Sequence, residues 1–380
     1  MRICVLARGV PDGKSPLNGI YEWGLAVTLA RSGYEVVVLA LDLRTGKKRK
    51  KRGLDRFVRE GVEVWDYGLP VGRIGKKASS ALRFSVAVRA YAAMAREGRL
   101  PDLTWAFFCR TFGKVAERLE NEFGVPFALS EYEGRLLTEK LPVSEINRMS
   151  RIYAKAVAAT APNEAFRSRM ENIFGTEFVF LPQTITAASE RTEHEGFVFL
   201  SIGALCVEKG MDVLIRAFSK VKKTRRDVKL VIVGKGDERR ALGEQAEALG
   251  VKDSVAFLSP SKGRGLNRYL SEGDCFVLAS RKELFGTVYI AALSAGIPVI
   301  TTKCFSPEGL IPPEAGKIVP VDDASALAEA MEEACSEDSP YRSEKIKAYA
   351  EENFSVAAVA RKIAEILKKR KENFPAPDIT

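Results

Sequence analysis

The chain is 380 residues long, 46% hydrophobic and 28% charged, which fits two soluble globular domains of about 100–200 residues each. No apolar run approaches the roughly 20 residues that span a bilayer, which excludes an integral-membrane class. The formal net charge of +10 implies an acidic partner: nucleic acid, anionic lipid or a phosphorylated small molecule.

The N-terminal "MRICVLARGVPDGK" holds an apolar run of about six residues with no small-residue cleavage site after it, and reads as a first strand, not a signal peptide. Strands are expected at "YEVVVLAL", "VEVWDY", "LTWAFF", "PFALS" and "EFVFLP", with helices such as "EWGLAVTLARSG" and "FGKVAERLENEFG" between them. The pattern restarts with "FVFLSIG", "VKLVIVG", "SVAFL", "CFVLA", "PVITT" and "GKIVPV". Alternating strands and amphipathic helices give an α/β fold of two doubly wound, Rossmann-like domains. The first covers residues 1–185 and the second 197–354. The polar, aperiodic residues 186–196 join them. A basic-ended helix over 355–370 is expected to pack back on the first domain, and 371–380 reads as a disordered tail.

Cys4, Cys109, Cys206, Cys275, Cys304 and Cys335 lie far apart with no C-x-x-C pair, which points to reduced thiols in a cytoplasmic protein and to no zinc site. The single histidine, His194, reads as a solvated loop side chain, so no metal site is expected.

In open parallel sheets, ligands sit beyond the carboxyl ends of the strands. Three loops there carry candidate chemistry. "GALCVEKG" places Gly203, Glu208 and Lys209 at a strand-to-helix turn, where a lysine either meets a diphosphate as a point charge or is a solvated helix-start residue. "VGKGDERRAL" offers Gly234 and Gly236, which would let a ligand approach the backbone, although glycine after a strand is commonplace. "LASRKELFGTVYIAALSAGIPVIT" puts Glu283 at a strand end, before a helix whose first amides, at Phe285, Gly286 and Thr287, suit phosphate oxygens. Alternatively, Glu283 caps that helix.

These blocks resemble the C-terminal domain of retaining GT-B glycosyltransferases of family four, whose pattern runs G-R-L-x-x-E-K-G, then G-x-G, then E-x-F-G-x-x-x-x-E-A-x-A-x-G-x-P-V. Gly203, Leu205, Glu208, Lys209 and Gly210 match the first block, Gly234 and Gly236 the second, and Glu283, Phe285, Gly286, Ala292, Gly296, Pro298 and Val299 the third. "SPLNGIYEWGLAVTLARSGYEVVVLALDLR" and "GVPFALSEYEG" are similar to the N-terminal half of exopolysaccharide-type members. The resemblance implies two Rossmann-like domains facing each other across a cleft, with Gly19 meeting the donor diphosphate.

The departures are Ala204 in place of the Arg that contacts the diphosphate, Ala291 in place of the second Glu that holds the ribose, and Glu131-Tyr132 where an active-site His stands. Trp105 and Phe107 replace histidines common in relatives. The resemblance implies a cytoplasmic, membrane-peripheral transferase that uses a nucleotide-sugar co-substrate and no metal. It would carry sugar to a saccharide or lipid-linked acceptor in surface polysaccharide synthesis, with retention of configuration. Glu283 and Tyr132 are then the candidate catalytic residues, and Gly19, Gly203, Glu208, Lys209, Gly234, Phe285, Gly286 and Thr287 bind the donor. The other reading is a catalytically degenerate GT-B protein acting as a binding or partner subunit.

The run Lys47, Lys48, Arg49, Lys50, Lys51, Arg52 is a solvated loop or a contact to anionic lipid. Nucleic acid ranks below both, because no aromatic-interleaved binding motif accompanies the run.

Overall fold

The computed structural model of the chain describes residues 1–12, 15, 18–43, 53–68, 76–184, 191–260, 265–283, 286–305 and 307–373, with only the backbone at 76–77 and 369–373. The chain divides into two compact units. One takes in residues 1–162, 166–184 and the C-terminal helix; the other takes in 163–165 and 185–355.

In chain order the first unit holds β1 (Arg2–Ala7), α1 (Ile20–Arg31), β2 (Glu35–Asp42), β3 (Gly53–Arg59), β4 (Val62–Gly68), α2 (Lys76–Arg96) and β5 (Leu103–Phe107). It continues with α3 (Lys114–Phe123), β6 (Phe127–Ser130), α4 (Val143–Lys155), β7 (Ala158–Ala161), α5 (Glu164–Phe174) and β8 (Val179–Phe180). The described strands form one sheet in the order β3-β4-β2-β1-β5-β6-β7-β8, parallel except for β3 against β4. Helical crossovers cover both faces of such a sheet, so β1 is buried from Ile3 to Ala7 and reads as a continuous apolar run.

Three features depart from the expected pattern. β3, "GLDRFVR", is an exposed edge strand that no apolar alternation announces; its Arg56 lies 3.5 Å over the Trp65 ring of β4 and covers it. β7, "AATA", is four small residues long. The strand expected through Phe108 stops at Phe107, because Phe108 takes a φ of 58° and opens a π-helical turn, Phe108–Gly113.

The second unit holds β9 (Phe197–Ile202), α6 (Met211–Thr224), β10 (Val228–Val233), α7 (Arg239–Ala248), β11 (Val255–Leu258), α8 (Leu266–Leu270) and β12 (Cys275–Leu278). Then come α9 (Thr287–Ser294), β13 (Val299–Thr302), β14 (Gly316–Val319), α10 (Ala324–Ala334) and α11 (Ser343–Phe354). Its strands run parallel in the order β11-β10-β9-β12-β13-β14, so the direction of winding reverses between β9 and β12. That reversal leaves a crevice at the carboxyl ends of β9 and β12, the place where doubly wound sheets take ligands.

The last helix, α12 (Val356–Asn373), belongs to the first unit and packs on α1. It runs three residues past the expected end at 370; residues 374–380 of the expected tail lie outside the described residues. Residues 191–196 of the expected linker form no helix or strand, and the Thr192 amide donates to the Ser271 carbonyl at 2.8 Å. His194 is an exposed residue, as expected, and its Nε2 stands 3.5 Å from Asp274, which also pairs with Arg191. All six cysteines are unpaired. No helix among the described residues is long and apolar enough to cross a membrane. The basic run 47–52, between β2 and β3, lies outside the described residues.

Candidate active site

The second unit gathers most of the candidate residues at one end of its sheet. After β9 the chain passes Gly203 and makes a short 3-10 turn, Val207–Lys209, before α6. After β12 it passes Glu283 and reaches Gly286, which caps α9 at a φ of 64°. The two loops meet in an ion pair in which Lys209 Nζ donates to Glu283 Oε2, and both side chains are mostly buried. The turn and the loop are also joined through backbone, because the Glu208 carbonyl accepts from the Arg281 amide at 2.8 Å and from the Lys282 amide at 3.3 Å. Beside them, the first turn of α9, from Thr287, presents the amides that a helix start leaves without intrahelical partners.

The other donor-side candidates divide by role. The Glu208 carboxylate is exposed and is held below the usual range by its own backbone amide and the Cys206 thiol. Gly234 has a packing reason: a Cβ there would fall 2.0 Å from the Gly203 carbonyl oxygen, so the glycine lets the loops after β9 and β10 touch. Phe285 lies outside the described residues. Ala204 is exposed, whereas Ala291 is 1% exposed inside α9. A carboxylate at 291 would therefore enter packed surroundings.

In the first unit, Gly19 caps α1 at a φ of 73°, and a Cβ there would fall 1.9 Å from the Gly9 carbonyl oxygen. Two residues on, Tyr21 stacks on Tyr132 at 4.7 Å, so the glycine loop and the candidate Tyr132 come together. Tyr132 is 5% exposed, its hydroxyl accepts from Gln183 Nε2 at 2.6 Å, and burial pushes its pKa well up. A phenol held protonated in this way can donate a hydrogen bond but cannot serve as a base. Trp105 and Phe107 are core residues, with the Trp105 indole donating to Ser130 Oγ at 2.9 Å.

Two groups in this unit make contacts that the sequence does not announce. Glu131 is fully buried and accepts from the amides of Cys109 at 3.0 Å, Tyr132 at 2.9 Å and Glu133 at 2.7 Å, and from the Tyr153 hydroxyl at 2.5 Å. Burial raises its pKa against these bonds. It ties the π-helical turn to the Tyr132 loop. Arg8 pairs with the buried Glu22 at 2.8 Å and lies 3.9 Å over Phe108.

Two family models match adjoining stretches: the glycosyl transferase 4-like domain over residues 19–181 and the glycosyl transferases group 1 over 183–354. The chain belongs to the family-four glycosyltransferases of the GT-B fold. Within the family, alpha-monoglucosyldiacylglycerol synthase of Streptococcus pneumoniae is 36% identical over 101 residues, 27% of this chain and 23% of that relative. Three other curated relatives are matched over 27% to 47% of their lengths. Among solved structures, sucrose-phosphate synthase from Thermosynechococcus elongatus superposes with a TM-score of 0.73 at 18% identity, covering 98% of this chain and 100% of that one. The Anabaena protein HepE, in complex with UDP-glucose, superposes with a TM-score of 0.65 at 18% identity, covering 97% and 99%. At such identities the superpositions establish the fold.

Proposed function

We propose that the protein transfers a sugar from a nucleotide diphosphate donor to a saccharide or lipid-linked acceptor in glycolipid or surface polysaccharide synthesis, with retention of configuration. The observation that carries this reading is the meeting of Lys209 and Glu283 at the winding reversal of the second unit, beside the start of α9. When the bond from the anomeric carbon to the diphosphate breaks, the bonding electrons leave with the diphosphate. Lys209 and the α9 amides are placed to neutralise that charge, and Glu283 to accept hydrogen bonds from sugar hydroxyls. In this reading the cation and the helix start do the work a metal ion would otherwise do. The HepE complex with UDP-glucose and the lipid product in the name of the pneumococcal relative support the donor class and the acceptor class.

Calorimetry with UDP, GDP and ADP at millimolar concentration is expected to show heat and a thermal shift with at least one of them. Silence with all three would remove the donor site from this account. A second reading, a protein that binds nucleotide without transferring sugar, is favoured by the burial of Ala291, which leaves the ribose without its acid. It predicts nucleotide binding with no release of diphosphate from any nucleotide sugar.

The acceptor side bears on the basic run. Replacing Lys47, Lys48, Arg49, Lys50, Lys51 and Arg52 with Ser is expected to release the protein from anionic vesicles, because each basic residue near such a surface is worth about 1 kcal/mol. Equal sedimentation of both proteins with the vesicles at low salt would set the membrane contact aside.

A further inference from the structure

Arg281 lies two residues before Glu283 and donates four hydrogen bonds through its side chain. Its Nη1 donates to the Val207 carbonyl at 2.7 Å and to Asp212 Oδ1 at 2.9 Å, its Nη2 to Asp212 Oδ2 at 2.9 Å, and its Nε to Asp322 Oδ1 at 2.7 Å. The grip on Asp212 is a two-pronged fork of the kind that fixes orientation as well as distance. Val207 opens the turn that carries Lys209, Asp212 sits in the first turn of α6 just after it, and Asp322 precedes α10. The backbone amide of Arg281 holds the Glu208 carbonyl at 2.8 Å. One residue of the β12–α9 loop therefore holds the Lys209 turn from both sides, with its side chain at Val207 and Asp212 and its main chain at Glu208.

The close fit of the two loops has a second, independent sign. A Cβ on Gly210, directly after Lys209, would fall 1.9 Å from the Ala279 carbonyl oxygen at the end of β12. The turn is thus pressed against the strand that leads into Arg281, and small shifts of either loop would move Lys209 relative to Glu283.

We infer that Arg281 is a positioning residue of the donor site: it sets where Lys209 stands relative to Glu283 and so governs recognition of the diphosphate. The inference rests on the donor-site reading above. It gives Arg281 no contact with the ligand; its effect passes through Lys209.

The test is a double-mutant cycle read by calorimetry, using whichever of UDP, GDP and ADP binds the wild-type protein, together with the corresponding monophosphate. Arg281→Gln is expected to weaken the diphosphate by about tenfold, within the range of couplings inside one charge network, and to leave the monophosphate nearly unchanged. In a Lys209→Ala background the same substitution is expected to have no further effect on the diphosphate. Arg281→Lys, which keeps the charge on Asp212 and loses the fork, is expected to fall between wild type and Arg281→Gln. It carries the comparison if the glutamine variant does not fold. A merely structural role would lower the melting temperature and weaken diphosphate and monophosphate alike.

Losses that add in full in the Lys209→Ala background overturn the inference and leave the donor site standing. Diphosphate binding that Lys209→Ala does not alter overturns the donor site and the inference together.

Discussion

Lys209→Ala is expected to weaken nucleoside diphosphate binding by about 10- to 150-fold, the worth of one hydrogen bond to a charged group. Glu283→Ala should act in the opposite sense on the same equilibrium. Lys209 pairs with Glu283, so a diphosphate competes with the carboxylate for the ammonium, and removing Glu283 removes that competitor. Binding of the bare diphosphate should then hold or tighten. Turnover of the nucleotide sugar should fall by about 10²- to 10³-fold, the cost of deleting one preorganised group at a reacting centre. Titration of both variants with the diphosphate, and assay of diphosphate release from the sugar donor, separate these effects. If Glu283→Ala weakens the bare diphosphate as much as Lys209→Ala does, the carboxylate is part of the phosphate site and its assignment to the sugar is wrong. A wild-type protein that binds the diphosphate and never releases it from a nucleotide sugar would establish the non-catalytic reading.

Glu131→Ala should be the most destabilising single change in the first unit. The carboxylate is fully buried and satisfies three backbone amides and the Tyr153 hydroxyl, and an alanine would leave all four donors without it. Each buried donor left unsatisfied costs about 1–3 kcal/mol, so the loss of four is expected to cost at least about 3 kcal/mol, which for a domain of this size lowers the melting temperature by about 6 °C or more. Glu131→Gln keeps one carbonyl oxygen and should cost less. Thermal unfolding of the two variants checks the order. A Glu131→Ala protein that melts within two or so degrees of wild type would mean that the π-helical turn and the Tyr132 loop are held by packing alone.

What could be read from the chain follows from how far each signal reaches along it. Strands such as β1 and β12 are parallel and covered on both faces, so each appears as an unbroken apolar run and is visible in the chain. β3 escapes notice because it is an edge: most of its residues face solvent, and Arg56 and Arg59 lay their guanidinium groups over Trp65 and Trp23. The turn at Phe108 escapes for another reason, since nothing about a phenylalanine announces a positive φ.

The site divides in the same manner. Lys209 and Glu283 stand in recognisable local patterns, so both could be named from the chain. Arg281, whose partners Asp212 and Asp322 lie 69 and 41 positions away, could not. Tyr132 was visible as a replacement; its bond to Gln183, 51 positions on, was not. Ala291 reads in the sequence as a missing acid. In the structure it is an occupied place in the core, and restoring the acid would require burying a carboxylate there.

The first unit is assembled from both flanks of the second. Its α1 is covered by α12, whose Val359 lies with Leu25 and Thr28 around a small cavity, and α12 is separated in sequence from the rest of the unit by residues 185–355. On the ribosome, α1 therefore emerges early and waits with that face bare until the whole of the second unit has been made. The usual order, in which the leading domain finishes first, is inverted for this chain. The second unit can close while the first is still open, and the first is completed by the docking of one helix onto a surface made long before it.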